Sequence, residues 1–469
     1  MEKEGRAQWG SNFGFLMAAV GSAVGLGNIW GFPSKLGANG GFAFLLVYLI
    51  LVVTVGISTM LGELLLGRKT GKSTVFAYKS ISEKWTWLGY AGVAAGFFIL
   101  AFYSVIGGTV IRYTIAFLTE MFSPGAGFGG AGSGEYFGAF ITNSGASILY
   151  HAIFMAITIV IVMGGISGGI EKFCKWAMPA LVVMLLIVIV RSITLPGAGA
   201  GLAYIFTPNF APLQEDFFKV LRIAAGQMFF SLSLGMGCMI TYGSYLSKKE
   251  NLLSNAVFIC FADTSVALLA ALAVMPAVFA FGLSPNGGPG LLFVTLHEVF
   301  TKGMTGFVGS LFGFLFYLLV VFAAITSSIS LLEVCTSFFI DRQVEQGKPG
   351  NRKMLSLIIG GIIFVVGLPV AMDGLGGGGV LPATFWFGKW GFIDFYDLIS
   401  EGILMPVGAA LMSILIGWKL KIRYAEEEVE ASGDKLKFAK FWDIAFRFIV
   451  PLGMVLVLWG QLLDFGILG

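Results

Sequence analysis

Gly21-Ser22-Ala23-Val24-Gly25-Leu26-Gly27-Asn28 falls inside an apolar run that begins at Phe13 and is long enough to cross a bilayer as one helix. A second stretch, Ser231-Leu232-Ser233-Leu234-Gly235-Met236-Gly237, repeats its pattern of small, aliphatic, Gly, aliphatic, Gly, at 23–27 and again at 233–237. Glycine destabilises a helix interior and admits backbone angles closed to other residues, so paired glycines let the chain unwind. Unwound backbone at membrane depth is tolerated only where it lines a cavity inside the protein. There it leaves carbonyl oxygens free for a cation and helix-end amides free for a carboxylate. Either stretch alone also reads as close helix packing through small residues. The two together, at equivalent positions of two halves and beside hydroxyls and Asn28, favour a pair of broken helices around a binding site.

The rest of the chain agrees with a membrane setting. Of 469 residues 57% are hydrophobic and 12% charged, and the mean hydropathy is +0.89; water-soluble domains carry about a quarter charged residues. Eleven spans are expected, near 13–36, 41–69, 88–121, 147–165, 174–192, 217–245, 254–283, 306–341, 354–372, 395–418 and 441–466. They form one transmembrane domain over 1–469: a first five-helix repeat (1–192), a second (217–418), and an eleventh helix in 438–469. No cleavable signal peptide is expected, because the first apolar run is too long and no small-residue cleavage site follows it.

Twenty-one of the 29 basic residues fall in segments on one side, which the positive-inside rule makes cytoplasmic, with the N-terminus inside and the C-terminus outside. Residues 122–146 and 285–303 then form external loops, the latter with an amphipathic stretch from Leu291 to Phe300 lying over, or dipping into, the outer face. The cytoplasmic stretch 425–437 is charged and expected to be mobile. Cys174, Cys238, Cys260 and Cys335 lie in or beside apolar segments, so no disulfide framework is expected. There is no HExxH, no CxxC and no P-loop, which argues against a metalloenzyme or a nucleotide-driven pump. No nucleic-acid partner is expected.

Polar residues inside the spans narrow the chemistry. Ala323, Thr326 and Ser327, with Ser328 beside them, put one carbonyl and two hydroxyls on one face of span eight. They suit an ion, or simply hydroxyls bonded back to their own helix. Intramembrane charges are costly and rarely idle. Asp263 in span seven, with Asn28 and Ser231, makes an oxygen-rich cluster fit for a hard monovalent cation. Glu63 in span two reads as a support for unwound backbone amides; Glu333 lies in span eight.

These residues resemble a family. Gly21 through Trp30, then Phe32-Pro33 and Asn39-Gly40-Gly41, together with Gly226-Gln227-Met228-Phe229-Phe230-Ser231-Leu232-Ser233-Leu234-Gly235, look like the neurotransmitter:sodium symporters, and the similarity runs from Arg6 to the tenth span. The resemblance implies an all-α membrane protein of the leucine-transporter type: two inverted five-helix repeats with unwound first and sixth helices, extra helices after them, and eleven spans as in many bacterial members. It implies sodium-coupled import of a neutral, hydrophobic or aromatic L-amino acid by alternating access at the bacterial inner (plasma) membrane.

Carried over by position, the resemblance implies two sodium sites. The first uses the Ala23 carbonyl, Asn28, Ser231, Asp263 and the substrate carboxylate; the second uses the carbonyls of Gly21, Val24 and Ala323 with the hydroxyls of Thr326 and Ser327. The substrate pocket is lined by Ser22, Ala23, Gly27, Ile99, Tyr103, Phe230, Ser231, Ser233, Met236, Ser327 and Leu331. Tyr103 binds the carboxylate and Phe230 lids the pocket from outside, while Arg6 and Asp341 pair as an inner gate beside Trp9 and Tyr245.

Four positions depart from the pattern. Gly31 stands where most members have an arginine, whose acidic partner matches Asp397, so the outer salt bridge is in question. Gly25 replaces the aspartate of monoamine carriers, and Met236 replaces a commoner phenylalanine with a softer wall. Asp263 stands where many members have asparagine, and a fixed carboxylate there implies no need for chloride. The competing readings are the same fold as a non-transporting amino acid sensor, a membrane enzyme, for which no acid–base constellation is spaced, and a channel, which Tyr103 and Phe230 would occlude. The oligomeric state is not legible.

Overall fold

The computed structural model describes residues 7–284, 290–304 and 306–468. The expected gate residue Arg6 and residues 285–289 of the second external loop lie outside the described residues. Among the described residues the chain is helical, with no strand beyond an isolated bridge between Trp386 and Trp390.

Nine uninterrupted helices are long and apolar enough to cross a bilayer, and a bent pair, Asn12–Ala23 with Gly27–Ala38, makes a tenth crossing turned by 52°. The remaining crossing is the sixth in order, Ala211–Ser231 and Cys238–Gly243, parted at residues 232–237. Its outer helix is kinked at Asp216 (φ −153°, ψ 83°), so the straight part begins at 217. The eleven crossings are thus the broken first span, Phe42–Thr70, Glu83–Phe122, Ser144–Met163, Ile166–Ile193, the broken sixth, Leu252–Ala280, Gly306–Glu345, Arg352–Met372, Phe392–Leu420 and Ala439–Asp464.

Both breaks have local causes. In span one Val24 turns to extended geometry (φ −70°, ψ 105°), and the Asn28 side chain takes over the bond the helix loses: its Oδ1 accepts the Gly25 N–H at 3.0 Å. In span six Ser233, Gly235 and Gly237 all have positive φ (53°, 84° and 75°), the region L-residues avoid. At Gly235 a Cβ would also run into the Met405 carbonyl of span ten, so glycine is required twice over. Elsewhere the starts are capped conventionally: Ser11, Asn143, Asn251 and Asn351 each accept a first-turn N–H on their side chains.

One expectation is corrected. The stretch 425–437 is not a free loop: Ile422–Glu430 is a helix docked under span two. Arg68, buried at the C-terminal end of that span, requires a carboxylate and carbonyls, and Glu428 supplies its Oε1 at 2.8 Å as well as its backbone oxygen, with the Glu250 carbonyl at 2.5 Å. Next to it the Lys69 ammonium holds the Glu427 carboxyl below the usual range. Between spans seven and eight, residues 291–303 are helical and do dip inward: Leu291, Leu292 and Phe293 are buried, and the hydroxyls of Tyr317 and Tyr113 donate to the Leu292 and Phe293 carbonyls at 2.6 and 3.0 Å. The four cysteines are free and buried.

Candidate functional site

The two breaks face each other across a small cavity of about 20 Å³ walled by spans one, three, six and eight. Ala23, Gly27, Ile99, Tyr103, Phe230, Ser231, Ser233, Met236, Ser327 and Leu331 line it, as does the backbone at Gly25 and Leu26, which sequence reasoning missed. Ser22 does not line it: its Oγ donates to Ser330 at 2.7 Å, while its carbonyl accepts from Ser233 (2.8 Å) and Ser327 (3.2 Å), so it ties the broken spans to span eight. Nothing charged lines the cavity.

Glycine sets its shape. A Cβ on Gly25 would come to 2.5 Å from Ser327 Oγ and 3.0 Å from the Tyr103 hydroxyl. A Cβ on Gly27 would come to 2.8 Å from the Phe230 ring, which packs against that backbone. The Leu26 N–H donates to Tyr103 Oη at 3.3 Å, so the phenol and the freed amides of span one share one polar corner.

Beside this corner Asn28, Ser231 and Asp263 converge, all buried. Asn28 Nδ2 donates to Asp263 Oδ1 (2.6 Å) and Ser231 Oγ (2.9 Å), and Ser231 Oγ donates to Asp263 Oδ2 (2.9 Å). In this orientation the Asn28 oxygen is engaged by Gly25. Presenting it to a cation takes a half-turn of the amide and gives that bond up.

The second group forms where span eight meets the break in span one. Ser327 Oγ lies 3.4, 3.2 and 3.3 Å from the carbonyls of Gly21, Ser22 and Val24. Thr326 Oγ1 is bonded back to the carbonyls of Phe322 and Ala323, both at 3.0 Å. All five predicted donors therefore share one locality, a set of neutral hard oxygens without thiol or imidazole, which suits an alkali cation better than a transition metal.

At the end of the bundle where span one begins, Trp9 N donates to the Tyr245 carbonyl (3.3 Å) and its indole N–H to that of Tyr242 (3.0 Å). Asp341 accepts the Ser73 N–H at 2.7 Å. The Tyr245 hydroxyl donates to Glu333 at 2.7 Å, and Arg352 pairs with the same carboxylate at 2.5 Å, which explains a charge buried in span eight. Glu171 was missed as well: it accepts the Gly10 N–H (2.7 Å) and the Ser11 hydroxyl (3.1 Å) and so holds the start of span one against span five.

With this geometry in place, comparison with known proteins is decisive. The model of the sodium:neurotransmitter symporter family matches residues 6–125 and 137–467. The chain belongs to this family. It is 37% identical to the uncharacterized sodium-dependent transporter YhdH of Bacillus subtilis (strain 168) over 463 residues, 97% of this chain and 98% of the relative. The sodium-dependent neutral amino acid transporter B(0)AT3 of Mus musculus is 32% identical over 313 residues, 60% of this chain and 49% of that one. The crystal structure of MhsT in complex with L-phenylalanine superposes with a TM-score of 0.86 at 38% identity, covering 97% of this chain and all of that one. This symporter-family member is accordingly a multi-pass sodium-coupled transporter of the leucine-transporter fold. Its family relatives are transporters, not enzymes.

Within the family frame Gln227 gains a role that sequence reasoning did not assign. Its Nε2 donates to the Gly27 carbonyl at 2.8 Å, and a Cβ on Gly31 would lie 3.3 Å from its Oε1. The amide thus occupies space beside the glycine that stands where the family has an arginine.

Proposed function

We propose that this transporter imports a neutral, hydrophobic or aromatic L-amino acid together with two sodium ions, without chloride. The observation that carries the reading is the cavity's lining: freed backbone and hydroxyls, the apolar Ile99, Met236 and Leu331, and no charged side chain on the wall among the described residues. A zwitterion's carboxylate has the Leu26 amide and the Tyr103 hydroxyl to bind, and a sodium beside Asp263, Ser231 and Asn28 to pair with. A cationic or anionic side chain would be desolvated with no partner, a cost of several kcal/mol. The bound phenylalanine of MhsT and the neutral amino acid carriers among the relatives support the same class.

The second ion would sit among the Gly21, Val24 and Ala323 carbonyls and the Thr326 and Ser327 hydroxyls, fastening span one to span eight. Driving force comes from the sodium gradient and from the membrane potential, about 2.3 kcal/mol per charge per 100 mV. The N-terminus is cytoplasmic and the C-terminus external. Proteoliposome uptake with a panel of labelled amino acids, with and without a sodium gradient, tests the reading. Sodium-dependent uptake of leucine-like or aromatic substrates is expected; binding without flux would make the protein a sensor, and tight glutamate uptake would overturn the substrate class.

A further inference from the structure

Charges within a membrane-spanning segment are expensive and mark pathways or moving parts. Three such charges interact at the outer side of the cavity and have no part in the sodium and substrate sites, though Asp397 matches the acid of the salt bridge that Gly31 put in question. Lys35 lies two turns beyond Gly27 on the outer half of span one; Asp397 and Glu401 lie one turn apart on span ten. Lys35 interacts electrostatically with Glu401 first, then with Asp397 and Asp464. Asp464 is already engaged by Arg222. Glu401 also acts electrostatically on the Tyr103 hydroxyl at the cavity wall.

The arrangement is only partly satisfied. Among the described residues Lys35 makes no ion pair within 4 Å; the Asp397 and Glu401 carboxyls hydrogen-bond to each other, and Asp397 Oδ1 is buried without a partner. Two half-buried carboxylates on one span thus attract a half-buried ammonium on another. The outer half of span one is joined to the inner half only through the break at 24–26, so it can swing on that hinge.

We propose that Lys35 is the outer latch of the carrier: when the outer half of span one closes on span ten, its ammonium pairs with Asp397 and Glu401 and seals the cavity over Phe230. Position 31 cannot carry a cation, because it is glycine and Gln227 fills the space beside it. Lys35, one turn further out on the same helix, supplies the charge instead, and Glu401 makes the acceptor a pair of carboxylates. Lys35 acts as a positioning residue, through the closure, without touching substrate.

The inference rests on the transport reading, so the test reads closure itself and needs no substrate. Ile99→Cys puts a thiol on the cavity wall, while the four native cysteines are buried. An impermeant thiol reagent is applied in sodium medium to intact cells expressing Ile99→Cys alone, with Lys35→Met, with Lys35→Arg, and with Asp397→Asn/Glu401→Gln. Labelling from outside should rise several-fold with Lys35→Met and with the carboxamide pair, and return towards the parent rate with Lys35→Arg. Equal labelling in all four, at equal expression and thermal stability, overturns the proposal. If Lys35→Met fails to fold, the carboxamide pair decides by the same criterion. A wrong substrate assignment would leave these rates untouched and appear only in the uptake panel.

Discussion

Glu63 Oε1 accepts the N–H of Gly235 at 2.6 Å, so a carboxylate of span two holds the middle of the unwound stretch of span six. Gly235 has a positive φ and cannot return to helix without losing its fit against Met405. Removing the carboxylate leaves a buried amide unpaired, a cost of about 1–3 kcal/mol. Glu63→Leu should lower the melting temperature and abolish amino acid binding, with Glu63→Gln milder on both. Thermal denaturation in detergent with and without substrate measures both effects.

Thr326→Val with Ser327→Ala removes two hydroxyl ligands of the second proposed sodium site and leaves its three carbonyls. Sodium-stimulated binding should be lost in a protein that still folds. Scintillation-proximity binding against sodium concentration reads the effect, and an unchanged sodium midpoint would sink the assignment.

Met236 meets the cavity from the unwound stretch of span six, where its unbranched side chain adapts to different substrates. Met236→Phe should narrow the space and penalise the largest side chains first, so competition by tryptophan should weaken more than competition by valine. A uniform loss across the panel would instead indicate a folding defect.

Asp263 accepts from both Asn28 and Ser231 in a fully buried cluster. A chloride a few ångströms away would be repelled by several kcal/mol at an effective dielectric of about 20. Replacing external chloride with gluconate should therefore leave uptake unchanged. Asp263→Asn should lose sodium affinity, together with any dependence of transport on internal pH, because the proton that could replace sodium on the return step has no carboxylate to occupy. Strong chloride stimulation of the unmodified protein would end this account.

His297, in the helical stretch 291–303, is buried among Tyr113, Phe117, Phe128 and Tyr136, and neither ring nitrogen has a hydrogen-bond partner. Burial pushes its pKa down to about 4 from the ordinary 6.5. The neutral form is the one the fold accepts, so the stability it contributes is complete above the ordinary value and is lost as pH falls from 6.5 towards 4. Between pH 7.5 and 5 the melting temperature should fall less in His297→Phe than in the unmodified protein. Parallel curves would show that the imidazole does not titrate with unfolding.

The sequence by itself determined the class, the number of crossings and the positions of the two breaks. Those features are written in local chemistry: apolar runs of fixed length, and glycines at 25, 27, 235 and 237 that no continuous helix needs. It also named nearly all of the side chains on the cavity wall, because the motifs around the breaks are long. What tertiary structure alone decided are the partnerships between distant spans. That Ser22 faces span eight and not the cavity, that Glu428 neutralises Arg68 and docks a segment expected to be mobile, and that Glu333 belongs with Arg352 and Tyr245 all depend on how helices are rotated against one another. The same holds for Lys35, an unremarkable lysine in a short amphiphilic stretch until span ten sets two carboxylates opposite it. Helical periodicity says which residues share a face, but the face across the gap is chosen by packing over hundreds of residues, and no local pattern encodes it.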